Sequence, residues 1–177
     1  MVTVEEANRP IFNIAFGAIF AALACVVTVL FIIPIPATTG YFNLGESIIY
    51  IAALILGPFV GSFTGGGTAI ADLILGYYAF APATLAIKAL EGLIVGITNK
   101  KLKQRISSVT LSATISIIVG GVEMVLGYFI YEILVLGYPA ALALAEIPFN
   151  IVQLIVGLVV AVPIMHAIFR VFPQLKS

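Results

Sequence analysis

The sequence is poor in charge, has a single cysteine and contains no tryptophan. Charged residues make up 9% of its 177 residues and apolar residues 62%, whereas soluble domains have about 25% charged and about 45–50% apolar residues. This scarcity of charge excludes a water-soluble globular domain. The lone Cys25 excludes an internal disulfide. We therefore predict an integral membrane protein.

Motifs for nucleotide hydrolysis, metal binding and covalent catalysis are also missing. The glycines Gly65–Gly67 are not followed by the Lys-Ser or Lys-Thr pair of a phosphate-binding loop. His166 has no histidine, cysteine or carboxylate at metal-ligand spacing, and no nucleophile–base pair is evident. The sequence predicts neither an enzyme nor a cofactor or metal site. The acidic start MVTVEEANRP lacks the basic region of a signal peptide, so we expect the first span to be retained.

Long apolar runs favour an all-α membrane protein rather than a β-barrel. As one helix, residues 44–80 would extend roughly 55 Å, against a hydrocarbon core of roughly 30 Å. They are therefore divided into two spans, with a turn predicted at Gly61–Gly67. The whole chain, residues 1–177, is predicted to be one transmembrane domain. Its compact bundle has six predicted spans: 10–33, 44–62, 64–79, 82–98, 108–131 and 146–169.

An even number of spans places both termini on one side of the membrane. Seven of the eight basic residues then share that side: Arg9, Lys100, Lys101, Lys103, Arg105, Arg170 and Lys176. The positive-inside rule makes this side cytoplasmic. We therefore predict cytoplasmic N- and C-termini, and external loops at 34–43, 78–82 and 132–145.

Polar groups inside the spans gather toward the predicted external side. Ionisable groups at membrane depth are costly and usually face a bundle interior or a cavity. Asp72 and Lys88 fall at similar predicted depth, roughly 9 Å in, and are predicted to form a structural ion pair. The pattern predicts an outward-facing polar cavity, whose candidate substrate-binding residues are Tyr41, Asn43, Glu46, Lys88, Glu91, Glu123, Asn150 and Gln153.

Structural roles for these residues stay open at this stage. Glu91 follows Lys88 by three residues and would also serve as its counter-ion. Asn150 and Gln153 would also serve as hydrogen-bonding partners for neighbouring helices, and Glu46 as a helix-capping charge.

Several short motifs of the first half resemble those of the substrate-binding S components of energy-coupling-factor (ECF) vitamin transporters, riboflavin-type. The resemblance covers roughly residues 10–100 and runs in order along the chain. Its motifs are Tyr41-Phe42-Asn43-Leu44-Gly45-Glu46, Gly57-Pro58-x-x-Gly61, Ala71-Asp72-Leu73, Gly76, Ala81-Pro82 and Lys88-x-x-Glu91-Gly92.

The resemblance implies a multi-pass protein of a prokaryotic cell membrane that captures a vitamin from outside. Riboflavin is the first expected ligand, followed by a pyridoxine-like ring or a thiamine precursor. The implied partners are an ECF transmembrane coupling subunit, two cytoplasmic ATPase subunits and membrane lipid, with no nucleic acid. The implied docking residues are Ala18 and Ala22, although Gly17 and Ala21 offer a second register on the same helix.

Three other function classes remain open from the sequence. A solitary proton-coupled carrier would use the intramembrane carboxylates as a relay. A membrane enzyme would use the same carboxylates for acid–base chemistry, and a purely structural subunit would bind no ligand.

Overall fold

The computed structural model describes residues 4–35 and 40–176, and most of them are helical. The six α-helices of the described residues are α1 (Val4–Leu30), α2 (Gly45–Leu56), α3 (Pro58–Leu75), α4 (Ala81–Lys103), α5 (Val109–Leu134) and α6 (Ala140–Val171). A 3₁₀ turn, Pro173–Lys176, follows α6.

Four of these helices have the length and hydropathy of a membrane span. They are α1 from Pro10 onward, α4, α5 and α6. Helix α2 has only 12 residues and α3 has 18. The prediction of an all-α membrane protein agrees with this structure. Six spans, and the side on which the termini lie, remain predictions.

A two-stranded hairpin joins α1 to α2. Its strands β1 (Ile32–Pro34) and β2 (Tyr41–Asn43) are antiparallel, with Ile33 opposite Phe42. The predicted external loop 34–43 overlaps this hairpin, and its residues 36–39 lie outside the described residues. The side chains of Arg9 and Lys176, which supported the predicted sidedness, also lie outside them. The hairpin marks one end of the bundle, called the hairpin end below.

The predicted turn at Gly61–Gly67 is wrong. The chain breaks earlier, at Gly57, whose φ of +93° is a left-handed conformation open to glycine, and Pro58 occupies the first turn of α3. The triple glycine lies inside α3. A Cβ placed on Gly65 would lie 2.7 Å from the backbone nitrogen of Ala89 on α4. These glycines therefore allow close helix packing rather than a turn.

The other boundaries move by smaller amounts. Helix α5 continues to Leu134 and α6 begins at Ala140, so the connection is shorter than the predicted loop 132–145. Ser108 caps α5 by accepting a hydrogen bond from the backbone N–H of Leu111 at 3.3 Å. His166 is exposed near the end of α6.

The bundle has a packed interior and an apolar outer surface. Tyr50, Ile117, Met124 and Met165 are fully buried at its centre. Large apolar side chains, such as Ile19 with 61% exposure, cover the outside of the helices. Such a surface suits lipid rather than water, because contiguous apolar patches of this extent are rare on soluble monomers.

Candidate functional site

A polar cavity lies at the hairpin end, between β2, α3, α4, α5 and α6. It encloses about 40 Å³, and about 430 Å³ when its open mouth is included. The enclosed space has room for a few water molecules, and the larger figure includes open solvent outside the mouth. The lining residues are Gly40, Tyr41, Asn43, Thr68, Asp72, Phe80, Thr84, Lys88, Tyr128, Glu146, Asn150 and Gln153.

Lys88 is the cation at the base of this cavity. Its ammonium group forms an ion pair with Glu46 on α2 and a second with Glu91, 3.2 Å from Nζ to Oε2. The hydroxyl of Tyr50 donates to the other oxygen of Glu91 at 2.8 Å. All four side chains are almost completely buried. Burying an ammonium group requires this kind of compensation, because removing a charge from water costs several kcal/mol, on the order of the pairing energy itself.

The predicted Asp72–Lys88 ion pair is not formed, and Asp72 has a different partner. Its Oδ1 accepts a hydrogen bond from the hydroxyl of Tyr41 on β2. Burial and the neighbouring carboxyl group raise the pKa of Tyr41, so its hydroxyl keeps its proton and acts as the donor. Lys88 is paired instead with two other carboxylates, one from α2 and one from its own helix α4.

Gln153 on α6 connects three elements around the cavity. Its Oε1 accepts hydrogen bonds from the backbone N–H of Asn43 at 3.0 Å and from Asn43 Nδ2 at 3.2 Å. Its Nε2 donates to Oε2 of Glu46 at 3.0 Å. The hairpin, α2 and α6 therefore meet at one buried amide, which fixes β2 against the cavity.

Aromatic rings form part of the wall. Tyr128 on α5 donates a hydrogen bond to the hydroxyl of Thr84 at 3.0 Å, and its ring centre lies 5.7 Å from the ammonium nitrogen of Lys88. Phe80 lines the cavity beside them, and Tyr41 packs against Tyr77 with ring centres 4.6 Å apart. Rings in this arrangement offer flat apolar surfaces to a planar ligand.

Most predicted binding residues converge here. Those that line the cavity are Tyr41, Asn43, Lys88, Asn150 and Gln153. Glu46 and Glu91 lie beneath the cavity and bind Lys88. Glu123 is partly buried on α5 and is not among the lining residues.

Two threonines of the lining were not predicted. Thr68 precedes Asp72 by four residues, and Thr84 precedes Lys88 by four. Residues four apart share one helix face, so this spacing was a usable signal. Phe80 also lines the cavity and was not predicted, and its position in the sequence shows no comparable spacing.

Helix α1 presents two small-residue faces that the structure separates. Gly17 is buried, and a Cβ placed on it would lie 3.0 Å from Phe63 on α3. A Cβ on Gly67 of α3 would lie 2.6 Å from Cα of Ala21. Ala18 and Ala22, each one residue further along, are exposed on the outer side of α1. The first pair therefore packs inside the chain, and the second is open to lipid or to another protein.

A larger recess of about 460 Å³ opens on the outer surface between α1, α3 and α4. Its lining is apolar and includes Ala21, Phe63 and Leu85. It lacks the convergent polar groups that orient a small metabolite. Within the described residues no group of three or more histidines, cysteines and carboxylates is placed to hold a metal ion.

Comparison with known protein families identifies the family of this chain. The sequence model of the ECF-type riboflavin transporter S component matches residues 9–170. The chain belongs to this family of ECF S components. Membership confirms the resemblance seen in the first half of the sequence and extends it through α5 and α6.

Two relatives of this S component are similar over most of their length. An uncharacterized protein in a gap 3′ region of Pyrococcus woesei is 41% identical over 136 residues, 76% of this chain and 86% of the relative. The thiamine precursor transporter HmpT of Lactococcus lactis subsp. cremoris (strain MG1363) is 33% identical over 156 residues, 87% of this chain and 86% of the relative. S components are transporter subunits, a class distinct from enzymes.

Proposed function

We propose that this S component captures a vitamin or vitamin precursor at the hairpin end and delivers it for ATP-driven uptake. The supporting observation is the convergence of polar side chains from β2, α3, α4 and α6 on one cavity of an otherwise apolar bundle. Ionisable groups inside membrane segments are usually functional. The hairpin end is external if the basic cluster Lys100–Arg105, at the far end of α4, is cytoplasmic.

The proposed ligand is one of three candidates. The family model carries the name of riboflavin, and HmpT carries that of a thiamine precursor. A pyridoxine-like ring remains in the set because the cavity combines flat aromatic walls with carboxylates and amides. Each of these ligands contains a planar ring, which Tyr41, Phe80 and Tyr128 would contact.

The proposed partners are a transmembrane coupling subunit and two cytoplasmic ATPase subunits in the same cell membrane. Ala18 and Ala22 are the proposed docking residues. Their exposure supports this assignment over Gly17 and Ala21, which are engaged with α3. Small residues on an exposed helix face permit close approach of another helix in lipid.

The first experiment is to purify the protein in mild detergent, record its absorption spectrum and identify by mass spectrometry what the denatured protein releases. A near-stoichiometric vitamin, of whichever kind, supports the proposal. Co-expression with a coupling subunit and its ATPases should then give ATP-dependent uptake of that vitamin into liposomes. A protein that binds none of a panel of vitamins would overturn it.

One observation favours a second candidate, a solitary proton-coupled carrier. Glu46 and Glu91 share Lys88, and Glu46 Oε1 has no hydrogen-bond partner among the described residues. Buried carboxylates of this kind serve as proton relays in transporters. Uptake by the chain alone, driven by a pH gradient across liposomes without ATPases, would select the carrier.

A further inference from the structure

Two buried carboxyl groups meet at the corner where α5 ends and α6 begins. Glu132 lies in the last turn of α5 and is 1% exposed, and Glu146 lies on α6 and is 4% exposed. Their side chains lie within hydrogen-bonding distance of each other. Neither forms an ion pair with a lysine or arginine in the described part of the chain.

This contact lacks a hydrogen-bond donor. Glu132 Oε1 and Glu146 Oε1 are both buried, and neither has a hydrogen-bond partner among residues 4–35 and 40–176. Two carboxyl groups in contact resist being ionised together, because like charges repel strongly where water is excluded. A proton held by one of the two groups would supply the missing donor and remove the repulsion.

Glu146 also contacts the hairpin. A Cβ placed on Gly40, the residue before β2, would lie 2.7 Å from the carboxyl carbon of Glu146. The carboxyl group therefore lies directly against the backbone at this point. Gly40 closes the hairpin, since its carbonyl oxygen accepts a hydrogen bond from the backbone N–H of Ile35 at 3.1 Å. Gly40 and Glu146 both line the polar cavity.

Polar contacts attach the hairpin to α3 and α6. Asn43 binds the amide of Gln153, and the hydroxyl of Tyr41 donates to Asp72. Glu146 adds a third contact through the backbone beside β2. Because the neighbour of Glu146 is another carboxyl group, this contact depends on pH, whereas the amide contact of Asn43 does not.

The other titratable groups near the pair have partners of their own. Lys88, the cation of the cavity lining, is held by Glu46 and Glu91. On the side of α5, the hydroxyl of Tyr131 donates to the carbonyl oxygen of Ala79 at 2.5 Å. The remaining titratable groups of the lining are Tyr41 on β2, Asp72 on α3 and Tyr128 on α5. Tyr138 follows in the connection to α6, and its backbone N–H donates to the carbonyl oxygen of Glu132 at 2.9 Å.

We propose that the Glu132–Glu146 pair is a proton-dependent latch for the hairpin. With one proton between them, the two side chains hold Gly40 and β2 on the cavity. When this proton leaves to water, their repulsion releases the hairpin. Because β2 carries Tyr41 and Asn43 of the cavity lining, its release opens the cavity. The latch adds control by pH to the proposed function, and its test requires no ligand.

The expected pH dependence has a definite sign. The closed hairpin binds one proton more than the open hairpin, because carboxyl groups that have separated ionise as ordinary glutamates do. Above the ordinary carboxyl range, the open population should therefore rise by up to about tenfold per pH unit. The rise ends where the closed pair also loses its proton. The hairpin is thus held most firmly in mildly acid solution.

Hydrogen exchange of the ligand-free, detergent-purified full chain tests the latch, because it measures local opening. The protection of peptides that contain β1 and β2 is followed by mass spectrometry from mildly acid to mildly alkaline pH. Dividing each rate by the intrinsic exchange rate at the same pH removes the pH dependence of the chemistry. Infrared spectra of the same samples report protonated carboxyl groups directly.

Two variants complete the experiment. Glu132→Gln replaces the shared proton with an amide that donates to Glu146 at every pH. Glu123→Gln is the matched control, because Glu123 is a partly buried carboxyl group on the same helix but outside the cavity lining. Glu146→Gln makes the same change from the other side of the pair, should Glu132→Gln not fold.

In the wild type, hairpin opening should rise with pH, by about tenfold per unit where the dependence is steepest. In Glu132→Gln it should stay level, and in Glu123→Gln it should follow the wild type. The infrared spectrum of the wild type should contain a protonated carboxyl component that titrates over the same pH range and is lost in Glu132→Gln.

Three results would overturn the latch. Hairpin protection that does not change with pH in the wild type would overturn it even if neither variant folds. A pH dependence that persists in folded Glu132→Gln and Glu146→Gln, or one that is lost in Glu123→Gln, would assign the titration to another group. Vitamin binding is measured separately, so each of these results leaves the proposed function intact.

Discussion

Gly67 on α3 packs directly against the backbone of Ala21 on α1, so that a Cβ on Gly67 would lie 2.6 Å from Cα of Ala21. No side chain separates the two helices at this point. Because backbone cannot rotate away as a side chain can, the contact defines how closely α1 approaches the rest of the bundle.

Gly67→Val should therefore destabilise the protein. The added atoms must push α1 away from α3, and overpacking of this kind costs about 1–3 kcal/mol. We expect a lower midpoint of thermal unfolding in detergent. Gly66→Ala is the matched control, because a Cβ on Gly66 meets only the end of the Leu85 side chain, at 3.4 Å. Equal midpoints for the two variants would show that the α1–α3 contact is looser than described.

Lys88→Met should be among the most destabilising substitutions in α4. It leaves Glu46 and Glu91 buried without their shared cation, and breaking a buried ion pair from one side costs about 3–5 kcal/mol. Adding Glu46→Gln and Glu91→Gln to the same protein should recover part of the loss, because the stranded charges are then removed.

Lys101→Met serves as the control for Lys88→Met, since Lys101 is exposed near the end of α4. Thermal unfolding of the three proteins checks the prediction. A Lys88→Met protein as stable as the Lys101→Met protein would contradict the paired arrangement of Lys88.

Gln153→Leu should weaken ligand binding as well as the fold. The substitution removes the acceptor of Asn43 and a donor to Glu46, which frees β2 from its anchor at the cavity. Leaving these buried groups unpaired costs about 1–3 kcal/mol, so affinity should fall roughly tenfold or more, mainly through faster dissociation.

Stopped-flow or surface-based kinetics with the identified ligand measure this effect. Gln104→Leu, at an exposed position after α4, gives the background effect of the same substitution. Dissociation rates that match between the two variants would mean that the amide of Gln153 does not fix β2 against the ligand.

Ala18→Trp and Ala22→Trp should abolish uptake and leave ligand binding intact. Both positions are exposed, so a large side chain has room in the isolated chain but would hold a docked helix away. Uptake with the co-expressed coupling subunit and ATPases, measured beside calorimetric affinity, checks this. Ala86→Trp, at an exposed alanine of α4, is the control. Normal uptake by both α1 variants would show that the coupling subunit docks on another face of the protein.

Part of this architecture could be predicted from the sequence. The number of helices follows from length and hydropathy, and the clustering of polar groups follows from their position along each span. The break between α2 and α3 could not be placed, because both Gly57-Pro58 and the triple glycine are plausible turns. Only the backbone of α4, against which Gly65 packs, distinguishes a turn glycine from a packing glycine.

The pairing of Lys88 with Glu46 could not be deduced either. Depth along a helix is readable from sequence, but rotation about the helix axis depends on tertiary packing. The sequence predicts Glu46 as a binding residue or as a cap at the start of α2, whereas in the structure its carboxylate is buried and pairs with Lys88. Sequence spacing did predict the neighbouring Glu91, since a separation of three residues fixes a shared face.

The contacts of helix α1 connect the cavity wall to the proposed docking face. Thr68, in the cavity wall, is the direct neighbour of Gly67, which touches the backbone of Ala21, and Ala22 faces outward one residue later. In the proposed assembly the vitamin and the coupling subunit are therefore separated by two helices, α3 and α1, that are in direct backbone contact. A movement of α3 on ligand binding would pass to α1, and so to the coupling subunit, through the backbone contact between Gly67 and Ala21. Gly67 has no side chain that could absorb this movement.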